Sequence, residues 1–253
     1  GTQTAVEGGS AATTNAANIL GGLTVDATGS KGISLLLGGV HTGDVVTRGV
    51  EIVAYRGTTG DDALRLNATG VRSVLVDTGA GDADTVHLAL AGTDAKTGDI
   101  NVAVSKNDPA QASRATLQVQ QNSARNVTLD AENFGEVTLG GENREAIGGN
   151  KYPIMMLGGT LKVTATQNIT VDGSIDAGNV ELSTTANTSA ITVKSTVTAT
   201  GNILVDAASS LTGTQSAIAV GAALRGKTVS LSAGRITSGN SIRAEGGSVN
   251  LTG

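Results

Sequence analysis

Without tryptophan or cysteine, and with one phenylalanine (Phe134) and two tyrosines (Tyr55 and Tyr152) in 253 residues, this chain must build its core from small aliphatic side chains. The absence of cysteine excludes a disulfide scaffold and a zinc–thiolate site. No run approaches the roughly 20 apolar residues that a membrane-spanning helix needs, so no membrane insertion is expected. Phosphate binding calls for a basic stripe and base stacking for aromatic rings. With 17 basic against 22 acidic residues and 1% aromatics, neither is present, and nucleic acid is not an expected partner. Proline is almost missing too, at 2 residues against 36 glycines. Turns here are therefore made by glycine and asparagine, which tolerate positive φ.

What the chain does have is a phrase that keeps restarting. Thr160-Leu161-Lys162-Val163 returns as Asn179-Val180-Glu181-Leu182, Asn202-Ile203-Leu204-Val205, Thr228-Val229-Ser230-Leu231 and Ser248-Val249-Asn250-Leu251. The first aliphatic positions stand 19, 23, 26 and 20 residues apart. Between the restarts lie shorter alternating pieces such as Asn168-Ile169-Thr170-Val171, Ser174-Ile175-Asp176 and Ala190-Ile191-Thr192-Val193. Alternation of period two puts one face inward and one outward. Strands this short, three to a repeat, fit one coil of a parallel β-helix better than a sandwich, whose strands are longer and whose turns come every 8–12 residues or so.

The first half keeps the same metre. Glu51 to Ala68 aligns with Ser73 to Leu90 at an offset of 22, setting Ile52 on Val74, Ala54 on Val76, Gly57 on Gly79, Leu64 on Val86 and Leu66 on Leu88. The expectation is an all-β solenoid of roughly 19–26 residues per coil, forming a single β-helical segment over residues 1–253. Roughly 11 coils at about 4.8 Å each give a monomeric rod on the order of 50 Å long. Residues 93–113 and 141–153 break the alternation and are expected to leave the stack as loops. The chain opens on Gly1-Thr2-Gln3 with neither an initiator methionine nor a signal peptide, which reads as a piece of a larger protein.

Stretches such as "GNVELSTT", "GNILVDAASSLTG" and "KTVSLSAGRITSGNSIRAEGGSVNLTG" resemble the degenerate coils of filamentous-haemagglutinin-like adhesins of two-partner secretion. The likeness is one of repeat style, close over Gly159 to Gly253 and looser before it. It implies a right-handed parallel β-helix, secreted or displayed on a bacterial cell surface. It also implies a part in attachment to host or bacterial cells or to extracellular polysaccharide, or in biofilm formation. That family's secretion domain carries Asn-Pro-Asn motifs, whereas the prolines here are Pro109 and Pro153 in other contexts. The resemblance therefore points to a shaft segment.

Two acidic turns are the sharpest local signal. Arg56-Gly57-Thr58-Thr59-Gly60-Asp61-Asp62-Ala63-Leu64 fits the calcium-binding nonapeptide G-G-x-G-x-D-x-U with Thr58 in place of its second glycine, and Thr78 to Val86 fits more loosely. An offset of 22 sets Asp62 over Asp84. Asp61, Asp62, Asp82 and Asp84 are thus the candidate ligands for Ca²⁺, which takes 6–8 oxygens. Asp in a tight turn has an equally simple reading, since it bonds its own backbone. A calcium-stabilised module of a secreted repeat protein is the alternative function. A carbohydrate-active β-helix enzyme comes third, because sugar subsites want aromatic platforms that are missing. His41 and His87 stand alone, with His87 expected to face outward between Val86 and Leu88. Threonines at 164, 166, 170, 192, 196, 198 and 200 drift in offset, so no flat threonine array is expected.

Overall fold

The computed structural model describes residues 3–4, 13–17, 22–38, 43–93, 98–120, 122–141, 154–155, 158–209, 213 and 215–253. Among them every strand pairing is parallel and there is no helix, and the chain winds as a parallel β-helix. Two walls run the length of the stack. The first includes Ser34–Gly38, Ile52–Thr58, Ser73–Gly79, Thr160–Ala165, Asn179–Thr184, Asn202–Ala207, Thr228–Ala233 and Val249–Thr252. The second includes Leu23–Asp26, Asp44–Arg48, Ala63–Thr69, Thr85–Ala91, Asn168–Val171, Ala190–Val193 and Ala217–Val220. Two long strands, Asp99–Val119 and Asn126–Leu139, turn the corner and serve both walls. A third wall of short strands joins later, with Ile175–Ala177, Val197–Ala199, Leu224–Gly226 and Ile242–Ala244 in succession.

Each inward position stacks on its counterpart one coil away. On the first wall Leu35, Val53, Val74, Val102, Leu129, Val163, Leu182, Val205, Leu231 and Leu251 form one unbroken row. On the second, Leu23, Val45, Leu66, Leu88, Leu117, Leu139, Val171, Val193 and Val220 do the same. Nearly all are fully buried, and burial of a Val or Leu side chain stabilises by about 1.5–3 kcal/mol. At the last coil, Val249 and Leu251 keep inward parity but are exposed, since no further coil of the structure covers them. The core is thus narrow, and β-branched, leucine and alanine side chains fill it, with Phe134 and Tyr55 as the aromatic rings among the described residues.

The five restarts at Leu161, Val180, Ile203, Val229 and Val249 are direct partners in register. The earlier coils differ by one residue. Leu64 does face Val86 and Leu66 does face Leu88, but Val53 faces Val74, Ala54 faces Leu75 and Thr58 faces Gly79. The corner after Ser73–Gly79 is one residue longer than the one after Ile52–Thr58, so the offset is 21 on the first wall and 22 on the second. A one-residue slip reverses the faces of a strand, and here Val53 and Tyr55 go inside while Ile52 and Ala54 go out.

Within the segment 93–113, residues 99–113 do not leave the stack as a loop but belong to a strand, and 94–97 lie outside the described residues. Residues 101–105 pair with Ser73–Gly79 on one side and with Asn126–Leu139 on the other. The extra length is absorbed by register shifts between Ser105, Ala110 and Arg114. The expected excursion at 141–153 lies outside the described residues apart from Gly141.

Candidate functional site

The corner between the first two walls turns the acidic loops inward. Asp62 and Asp84 are buried, at 2% and 0% exposure, whereas Asp61 and Asp82 lie exposed. Gly57 and Gly81 make room for this. A Cβ at Gly57 would stand 2.5 Å from Asp62 Oδ2, and one at Gly81 would stand 2.5 Å from Asp84 Oδ1. Asp62 Oδ2 accepts the Thr58 N–H at 2.7 Å. Asp84 Oδ1 accepts the Asp62 N–H from the coil before at 2.8 Å, and its Oδ2 accepts the Thr78 hydroxyl at 2.7 Å. Both carboxylates therefore fill backbone donors that a turn would otherwise leave unpaired, Asp62 within its own turn and Asp84 from one coil to the next.

A lysine completes the corner. The side chains of Lys106 and Asp84 are both fully buried, with Nζ 3.5 Å from Oδ2. The amine also donates to the carbonyl of Gly81. Around it, the Asp84 N–H donates to Ser113 Oγ at 3.0 Å, and Asn133 Nδ2 donates to the Lys106 carbonyl at 2.9 Å. Tyr55 closes the other end with a hydrogen bond to Asp62. Burial first, and then the negative charge of Asp62, push its phenol well above the ordinary value. In later coils the same corner is lined by hydroxyls, where Thr184 and Ser189 bond at 2.6 Å and the Gly234 N–H donates to Ser216 Oγ at 3.2 Å.

This network carries a pH consequence. Because the folded phenol holds its proton more tightly than the unfolded one, Tyr55 stabilises the fold fully below 10.0, its ordinary value, and that contribution is lost as pH rises beyond it. Denaturant midpoints are expected to fall more steeply above that pH in the parent chain than in Tyr55→Phe. Equal slopes would show that the phenol is not buried beside a carboxylate.

The four candidate calcium ligands do not close on one point. Asp62 and Asp84 face the interior with their oxygens taken, while Asp61 Oδ1 accepts the N–H groups of Asp82 and Ala83 outside, at 3.1 and 3.0 Å. Among the described residues no group of three or more His, Asp or Glu is placed to hold a metal ion. The cation next to Asp84 is the Lys106 ammonium, which the sequence reading missed. Its signal was parity: Ile100, Val102, Val104 and Lys106 occupy successive inward positions. The glycine–aspartate pattern follows from the turn's own packing, since glycine gives the carboxylate room and the carboxylate accepts backbone donors.

The outer faces carry ordered rows as well. Arg48–Asp26, Arg65–Asp44, Arg72–Glu51, Arg114–Glu136 and Arg125–Asp99 each join neighbouring coils. The Arg125 guanidinium holds the Asp99 carboxyl below its usual range, with Asn126 adding a further hydrogen bond. Exposed pairs of this kind contribute little each, about 0–1 kcal/mol, and consume charge that would otherwise form a patch. His87 does alternate with buried Val86 and Leu88, and lies between Arg65 and Thr116 in register. Four threonines, Thr116, Thr138, Thr170 and Thr192, stand in register on the second wall although their spacing in sequence is uneven. Longer connections between coils restore the alignment that a fixed offset hides. Thr164 and Thr198 lie on the other two walls, Thr164 between Asp130 and Ser183 and Thr198 between Asp176 and Arg225, and do not extend the row.

These features define a parallel β-helix with a polar, charge-bearing corner sealed inside it. The chain matches no protein-family model, no curated protein and no solved structure.

Proposed function

We propose that this chain is a non-catalytic shaft segment of a bacterial surface or secreted adhesin, serving attachment to cells or matrix or the build-up of biofilm. The reading rests on one observation above all, the unbroken registration of inward rows along both walls. A stack that touches only its neighbours, with hydrogen bonds and apolar contacts at every step, makes a stiff spacer. Its chemically sharpest residues support the same reading, because Asp62, Asp84 and Lys106 are sealed from solvent and no sugar reaches them. Contact with a host or bacterial surface, or with an extracellular polysaccharide, then falls to the polar outer walls.

Beads coated with the chain test this reading against beads carrying an unrelated β-rich protein of similar net charge. Severalfold greater retention on cultured host cells, on bacterial cells or on an exopolysaccharide layer is expected. Retention at the control level on all three would sink the adhesive role.

A further inference from the structure

We propose that Lys106 and Asp84 condense into an intramolecular amide, an isopeptide cross-link that staples one coil of the helix to the next. The inference stands on the geometry of the corner and is independent of the adhesive reading. The Lys106 amine lies 3.5 Å from Asp84 Oδ2, the oxygen that would leave, with both side chains fully buried, so amine and carboxyl are held together away from water. Three contacts fix the pair. The Gly81 carbonyl accepts from the amine, the Asp62 N–H holds Oδ1 at 2.8 Å, and the Thr78 hydroxyl holds Oδ2 at 2.7 Å.

The chemistry balances without an oxidant or a cofactor. The ammonium passes a proton to the carboxylate, giving an amine and a carboxylic acid, and out of water this neutral pair escapes the desolvation that burdens two ions. The nitrogen lone pair attacks the carboxyl carbon. The Asp62 N–H then faces the negative charge that develops on Oδ1, as a donor in an oxyanion hole does. The bond from carbon to Oδ2, which carries the first proton, breaks as the nitrogen's second proton passes through the Thr78 hydroxyl to that oxygen, so Oδ2 departs as water. One water leaves and one amide remains, with Oδ1 as its carbonyl oxygen still accepting from Asp62. An ordinary surface ion pair does not follow this path, because water solvates its charges and nothing orients the amine. The product joins residues 84 and 106 and closes the coil between them into a covalent loop, so a pull along the rod cannot unwind that coil.

The test is the intact mass of the folded chain, with folding verified by its β-type circular dichroism spectrum. The expected mass falls short of the sequence mass by one water, and proteolysis yields a branched peptide linking Asp84 to Lys106. Lys106→Met is expected to restore the full sequence mass for that variant. Thr78→Val, which keeps the shape without the hydroxyl, is expected to leave a large uncross-linked fraction in a chain that still folds. Full mass in the folded parent chain overturns the proposal. So does a one-water deficit that persists in Lys106→Met, since that marks a dehydration elsewhere.

Discussion

Lys106→Met is expected to destabilise the chain by about 3–5 kcal/mol, because it strips the only cation from a carboxylate that stays buried. Lys106 and Asp84 have fully buried side chains, so no solvent screens the loss. Methionine keeps most of the aliphatic stem, which separates the lost charge from lost packing. For an ion-paired parent this is the whole loss and for a cross-linked parent the cross-link goes as well; in both, the variant leaves Asp84 buried with the Asp62 N–H and the Thr78 hydroxyl but no cation beside it. At roughly 2–4 °C per kcal/mol for a chain of this size, Tm falls on the order of 10 °C. A second variant isolates the cause. Asp84→Asn on top of Lys106→Met removes the orphan charge, keeps an amide oxygen to accept the Asp62 N–H and turns its amide N–H to the Thr78 hydroxyl oxygen, and is expected to recover much of the loss. A double variant as unstable as the single one would show that the charge pair was not what the corner lacked. A loss under about 1 kcal/mol in Lys106→Met would show that Asp84 finds water, as surface pairs do.

The coil arithmetic was legible because it rests on parity and punctuation. Val180, Ile203, Val229 and Val249 each follow a polar turn residue and begin a clean alternation, and each is paired as expected. Parity fails where both faces of a strand are apolar. In Ile52–Thr58 the series Ile52, Ala54 and the series Val53, Tyr55 are each plausible inward sets, and aligning Gly57 on Gly79 selects the wrong one. What decides is the corner, whose extra residue after Gly79 no alternation reveals. The acidic site was half legible for a related reason. Asp62 does lie against Asp84 one coil away, but a carboxylate that binds calcium and one that binds a neighbour's N–H carry the same letters. Lys106, the cation beside Asp84, comes from a stretch where the pattern breaks at Asn107, Asp108 and Pro109, and which therefore read as a loop.

Phe134→Ala is the second large effect, at about 3–5 kcal/mol, for a ring with no exposed surface in a core of otherwise small side chains. Phe134 sits just beyond Asn133, whose φ of 62° turns the corner of Asn126–Leu139 sharply. It is paired with Ala110, where the preceding coil carries its register shifts. A wide corner thus lies over a tight one, and the ring is the bulk at the step between them. Alanine leaves a void there that neither wall can close, because both are held in register by the coils on either side. In a stack where each coil touches only its neighbours, such a defect also weakens the coupling between the halves. Denaturation of Phe134→Ala is therefore expected to broaden, with a lower apparent m-value or two resolved transitions, whereas Phe134→Leu loses less and stays cooperative. The ring shares its corner with the buried pair, through the bond from Asn133 to the Lys106 carbonyl. Phe134→Ala combined with Lys106→Met should consequently cost less than the two single losses together, because contacts joined by one network do not add. Strict additivity, with a single sharp transition throughout, would mean that the corner is not one cooperative unit and that the coils on either side of it hold themselves.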